Sequence, residues 1–286
     1  MKIDLYTRCW NDADMLDFMF RHYDRLVQRY VVFDDGSTDA SLDILRSNPK
    51  VDLRPMPTYS DPESRVASGL AVLDSCWHES RGLADWVIVT DIDEHLWHRD
   101  LDAYLCRQKN DGVTIIPALG FQMLSDHFPG RDCLLTETVT TGAPSPVMNK
   151  MNIFSPDDIE ATHFTVGRHS ASPQGNVVAP ARDELLLLHY KFLDFERTYQ
   201  RLKQSLTRQR AKDLALKWGV QYSWSTDELR QNWNEVVAHI VETSNPDLQL
   251  SEMHAGPHWW DVHRLAAAPS PVTRWRRWWP FGSARS

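Results

Sequence analysis

Short apolar runs alternate with helix-spaced stretches along the first 118 residues. KIDLYTR (2–8) reads as an opening strand, and Leu16, Met19, Phe20 and Tyr23 recur at helical spacing between Asp14 and Arg25. YVVFDD (30–35) is a β-branched run of buried type. GSTD (36–39) follows as a turn in which Ser37 or Asp39 can cap the next helix. VDL (51–53), a helix over 63–80, DWVIVTD (85–91), a helix over 101–109 and GVTIIPA (112–118) complete the alternation. This order predicts an α/β fold with a mostly parallel sheet covered by helices. The pattern loosens after that. MNIF (151–154), THFTV (162–166) and LLLLHY (185–190) are strand-like pieces between Pro- and Gly-bearing loops. Helices are expected over 194–218 and 225–243, the second opening on STDE (225–228), a capping-box pattern.

In open α/β sheets ligands bind beyond the carboxyl ends of the strands. Two acidic clusters, Asp34–Asp35 and Asp91–Asp93–Glu94, end predicted strands and therefore belong to one rim. Asp91 and Asp93 are two apart, so in extended chain both point to one side. Carboxylates that close repel unless a proton or a cation neutralises one of them. Oxygen ligands at a strand end suit Mg²⁺ or Mn²⁺ with open positions for phosphate oxygens. A solvated acidic turn is the other reading of the same spacing.

The formal net charge of −8 provides no basic excess and argues against a nucleic-acid partner. Cys9, Cys76, Cys106 and Cys133 have no metal-ligand spacing, and no secretory signal precedes them. Reduced thiols and a cytoplasmic location are expected, and no run is long and apolar enough to span a membrane. The last residues interleave arginine with tryptophan, as in TRWRRWW (273–279). That composition suits peripheral contact with an anionic membrane surface through 273–281, at the inner face, or contact with a partner chain.

YVVFDDGSTDASLDIL, DWVIVTDIDEHLW and LLHYKF, in that order, resemble the GT-A-fold glycosyltransferases of the family 2 group. The D-x-D-E form and the later HY are closest to its family-92-like branch. The resemblance covers about residues 3–200. TRCWND departs from the common pattern, with Asp12 in place of Glu and Trp10 in place of a small or basic residue. It implies a GT-A domain over 1–193, with a nucleotide-binding half (1–118) and an acceptor and metal half (119–193). A helical extension (194–268) and the Arg/Trp tail (269–286) follow.

The resemblance implies a metal-dependent, inverting transfer of sugar from a UDP- or GDP-linked donor to a glycan or lipid-linked acceptor. Asp35, with Asp34 and Asp39 in the same turn, is then expected to hold the nucleoside. Asp91 faces the ribose or the metal, and Asp93 and His189 ligate Mn²⁺ or Mg²⁺. Inversion needs a general base on the acceptor side, for which Asp183, Glu184 and Asp126 are candidates. Glu94 orders the metal loop or touches the sugar. Lys150 could reach a phosphate, Arg65 the nucleotide and His169 the donor or acceptor pocket, set against the commoner readings of an exposed strand lysine, a solvated helix arginine and a structural histidine. A non-catalytic nucleotide-sugar-binding module and a Mg²⁺-dependent phosphoryl-transfer enzyme using Asp91 as nucleophile are the alternatives.

Overall fold

A computed structural model describes residues 1–57 and 60–265. The Arg/Trp tail lies outside the described residues. Four parallel strands, β1 (Ile3–Cys9), β2 (Arg29–Asp34), β3 (Val51–Pro55) and β4 (Trp86–Val89), form one half of the main sheet in the order β3-β2-β1-β4. The connections are α1 (Leu16–Tyr23), α2 (Ser41–Ser47) and α3 (Arg65–Leu73). All four β4 residues are buried, as a strand covered on both faces requires.

The predicted helix over 63–80 breaks after Leu73, and a 3₁₀ turn covers Cys76–Ser80. Asp74 explains the break. Its carboxylate accepts from Thr162 Oγ1 and from the Phe164 amide (3.0 Å), tying the helix end to a distant loop. The same contacts account for THFTV, which is not a strand.

After β4 the chain turns through Asp91–Asp93 and re-enters a sheet as β5 (Glu94–Trp97). Then come α4 (Leu101–Asn110), β6 (Ile115–Ser125), α5 (Leu135–Thr138), β7 (Thr141–Pro144) and β8 (Lys150–Phe154). β8 lies antiparallel between β4 and β6. A separate small pair, β9 (Ile159–Ala161) and β10 (Gln174–Gly175), precedes β11 (Leu186–Leu193). β11 is parallel to β6 and antiparallel to β5. The parallel sheet of the first half is thus continued by a largely antiparallel one.

The extension contains α6 (Phe195–Leu206), α7 (Ala211–Ala215), α8 (Thr226–Val237) and β12 (Val241–Glu242). The expected single helix over 194–218 is divided because Asp213 turns inward, accepting from Ser64 Oγ and from the Arg65 amide (3.1 Å) at the start of α3. The capping box of α8 forms as read, with Ser225 Oγ accepting from the Glu228 amide and Glu228 accepting from the Ser225 amide. That helix ends at Val237 because Val241 and Glu242 pair with β7. Leu202, Leu229 and Trp233 bury against Leu124 and Phe192 in a second, smaller core. At roughly 1.5–3 kcal/mol for each fully buried large side chain, this cluster suffices to fix the extension on the sheet.

Candidate functional site

The carboxyl ends of β1, β2 and β4, the end of β11 and the extension enclose a cleft of about 550 Å³. Its lining holds eight lysines and arginines against five aspartates, in a chain of net charge −8. Asp35, Arg65, Asp91, Asp93, His169 and His189 all line it. The structure therefore brings together six of the residues singled out from sequence.

β5 is what unites Asp93 with His189. The β5–β11 register sets His189 opposite Glu94, and the Tyr190 amide donates to the Asp93 carbonyl (2.7 Å). Gln122 then fixes the imidazole. Its amide nitrogen donates to the carbonyls of Met123 and His189, each at 3.0 Å, so its Oε1 faces His189 Nδ1 at 3.0 Å. Nδ1 carries the proton in that arrangement. The lone pair of neutral Nε2 is left facing Asp93 Oδ2 at 3.4 Å. Two acceptors at that separation require a cation between or beside them, either a proton or a metal ion. A hydrogen-bonded second nitrogen is also the usual second shell of a metal-ligating histidine. Burial works to raise the Asp93 pKa, and only a protonated His189 donating from Nε2 would outweigh it and hold the carboxyl below the ordinary range.

Among the described residues no three His, Cys, Asp or Glu side chains form a closed metal cage. A carboxylate and an imidazole with open positions fit Mg²⁺ or Mn²⁺ completed by substrate phosphates.

Asp91 is held differently. Its Oδ2 accepts from Arg168 Nη2 at 3.1 Å and lies 3.9 Å from Lys150 Nζ. Behind it Glu94, 1% exposed, is ion-paired to Lys150 and to Arg168 (3.0 Å), and accepts from Thr90 Oγ1 and the Asp91 amide, both at 3.2 Å. Arg168 Nη1 also donates to the Val89 carbonyl (2.6 Å). Burial alone would raise both carboxyl pKa values. The adjacent cations reverse this, so both acids stay below their ordinary range. Lys150 is therefore neither an exposed strand lysine nor a cleft residue. It and Glu94 form a buried layer under Asp91.

The DDGSTD turn uses its acids mainly on backbone. Asp34 accepts from the amides of Gly36 (3.0 Å) and Ser37 (3.2 Å), and the φ of +78° at Gly36 explains the glycine. Asp39 accepts from the Ser41 (2.9 Å) and Ala13 (3.2 Å) amides and so ties the α2 start to the β1–α1 loop. Against the effect of burial, these bonds hold its carboxyl below the usual range. Neither acid lines the cleft. Asp35 does, paired with Arg65 and with Arg208 (3.2 Å).

Asp183 and Glu184 are not brought to the cleft. Asp183 accepts from Trp260 Nε1 (3.0 Å) and pairs with Arg264, while Glu184 pairs with Arg107 (2.9 Å). Both acids serve to pack the extension and α4 against the β11 start. Asp126 is also absent from the lining.

Sequence reading passed over several lining residues: Arg8, Arg168, Lys191, Arg201 and Arg208, besides giving no role to Trp10. The guanidinium of Arg208 lies 4.0 Å from the Trp10 ring centre, and that of Arg201 lies 5.0 Å away. Arg168 has a φ of +58°, uncommon for a side-chain-bearing residue, next to Gly167 at +71°. The GRH turn (167–169) is the sequence feature that marks Arg168.

No family model and no curated protein matches the chain. Solved structures align in part. Staphylococcus aureus TarS residues 1–349 with UDP-GlcNAc superpose with a TM-score of 0.36 at 11% identity, covering 71% of this chain and 65% of that one. The same fragment with UDP gives 0.35 at 13%, covering 55% and 47%. Glucosyl-3-phosphoglycerate synthase from Mycobacterium tuberculosis, in complex with Mn²⁺, UDP and glucosyl-3-phosphoglycerate, gives 0.29 at 18%, covering 42% and 44%. The chain thus spans less than two thirds of the length of each of these structures. No helix among the described residues is long and apolar enough to cross a membrane.

Proposed function

We propose that this chain is a divalent-metal-dependent glycosyltransferase that moves a sugar, with inversion, from a UDP- or GDP-linked donor to a glycan or lipid-linked acceptor. The observation that carries the reading is the Asp93–His189 pair, two acceptors 3.4 Å apart with the imidazole tautomer set by Gln122, at the floor of a cation-lined cleft. Asp93 and His189 would hold Mn²⁺ or Mg²⁺, which when bound supplies Lewis-acid stabilisation of a diphosphate leaving group. Glu94, Lys150 and Arg168 fix Asp91 at the cleft wall. Asp35, with Arg65 and Arg208, faces the nucleoside, and Trp10 offers a ring beside it.

The proton acceptor is sought among groups that line the cleft rather than at Asp183 or Glu184. Asp12 is the lining carboxylate with a raised proton affinity. Burial, opposed by Arg201, brings its pKa to about 6, near the range useful to a base at neutral pH. The DIDE and HY motifs favour the family-92-like branch. An aspartyl-phosphate mechanism is disfavoured, because the Asp91 carboxylate is already engaged by Arg168.

Titration calorimetry of UDP, GDP and CDP, each with Mn²⁺ and with EDTA, tests the reading. One nucleotide binding tightly with metal, and a weakening of tenfold or more in Asp93→Asn, is expected. Metal-insensitive binding in the wild type, or no binding of any of the three, would sink it.

A further inference from the structure

Five of the cleft's eight basic side chains already face a carboxylate: Arg65, Arg168, Arg197, Arg201 and Arg208. Among the described residues Arg8, Lys191 and the exposed Lys217 do not. Among the described residues Arg8 makes no side-chain hydrogen bond or ion pair, and its Nε is shielded from solvent without a partner. Among the described residues Lys191 makes no side-chain hydrogen bond or ion pair, and its ammonium lies 5.5 Å from the centre of the Tyr222 ring. Both are half-buried and line the cleft. They also flank the acidic pair, since Arg8 is on β1 beside β4, whose end carries Asp91, and Lys191 is on β11, which pairs with β5 next to Asp93. A desolvated guanidinium without an acceptor is costly unless an anion completes it.

Resting on the transferase reading of this cleft, we propose that Arg8 and Lys191 are a two-sided clamp for the donor's diphosphate and bind its phosphoryl oxygens without the metal. In the transfer step the acceptor hydroxyl oxygen bonds the anomeric carbon, and its proton passes to the base. The bond from that carbon to the terminal phosphate oxygen breaks, leaving the bonding pair on oxygen. The leaving diphosphate gains one negative charge, which fixed cations on either side stabilise without reorganising.

The position of Arg8 depends on Gly69 in α3. A Cβ at Gly69 would lie 2.8 Å from Arg8 Cζ and closer still to Nη1. Gly69→Ala therefore moves the guanidinium without altering charge, while replacing a helix-interior glycine by a better helix former.

The test is calorimetric titration of inorganic pyrophosphate into the full chain in EDTA. Wild type should bind, and Arg8→Gln, Lys191→Met and Gly69→Ala should each bind at least tenfold more weakly. Thermal melts should show Gly69→Ala as stable as wild type, which separates loss of the clamp from loss of the fold. No pyrophosphate binding by wild type in EDTA, or unchanged binding in folded variants, overturns the clamp. Clamp-dependent pyrophosphate binding without any nucleoside diphosphate binding supports the clamp and overturns the transferase reading instead.

Discussion

At the DDGSTD turn, Asp34 and Asp39 face backbone amides of the turn itself and of the β1–α1 loop, whereas at DIDEH the acids face charged side chains and the open cleft. The two turns have similar composition and lie on the same rim. The first uses these two carboxylates to shape the chain, in the manner of an Asx turn, and sends only Asp35 to the cleft. The second divides its acids by depth: Glu94 is compensated by two buried cations, Asp91 meets the same two at the wall, and Asp93 faces His189 in the cleft. Acids whose partners are backbone or buried cations should report on stability, and Asp93 should report on ligands.

The largest effect should come from Glu94→Gln. Removing that charge leaves Lys150 and Arg168, each no more than 3% exposed, with one partly exposed acid between them. Breaking a buried pair in this way costs about 3–5 kcal/mol, to be measured by denaturant unfolding. A loss below about 1 kcal/mol would mean that the buried layer is not what holds Asp91.

Acidification comes next. Burial lowers the pKa of His22 to about 4 against an ordinary 6.5, with partial relief from the Leu96 carbonyl. It also lowers His95, and His254 to about 4. Between pH 6.5 and 4 the unfolded chain takes up protons that these native histidines refuse, so stability falls as pH falls through that window and is unaffected above it. Asp12, raised to about 6, opposes this between its two pKa values, because there the native state binds the extra proton. Melting temperature against pH should therefore drop below 6.5 and drop more shallowly in His22→Gln, whereas a profile flat to pH 4 would remove the buried histidines from the account.

The smallest changes sharpen the comparison itself. Asp34→Ala should cost about 1 kcal/mol through two lost amide bonds. Asp93→Asn should change stability by less than about 0.5 kcal/mol, because functional positions facing a cleft are seldom optimised for folding. If Asp93→Asn destabilised more than Asp34→Ala in the same unfolding experiment, the division of labour between the turns would be wrong.

The parallel half was legible because its signals are local. Buried runs such as VVF and WVIV, helix spacing in α1, and strand-end acids each lie within one segment. Asp35, Asp91 and Asp93, being strand-end features, were legible for the same reason. What sequence reading missed depends on contacts far apart in the chain. β5 is too short and too charged at Glu94 to read as a strand, yet its pairing with β11 brings His189 to Asp93. Asp183 looked like a loop acid near the HY strand, and only the return of Arg264 from the extension shows where it is used. Arg8, Lys191 and Arg168 were illegible as a set because no spacing relates residues from three separate elements.

The central claim is that Asp93 and His189 are held apart for a divalent cation rather than a proton. Electron paramagnetic resonance of free Mn²⁺, titrated with the protein in the presence of UDP or GDP, tests it most directly. The account predicts that wild type removes the free-ion signal with one of these nucleotides and that Asp93→Asn and His189→Ala, both folded, do not. Equal uptake of Mn²⁺ by all three proteins, or none by wild type with either nucleotide, would contradict it and leave the pair as an imidazolium–carboxylate bridge.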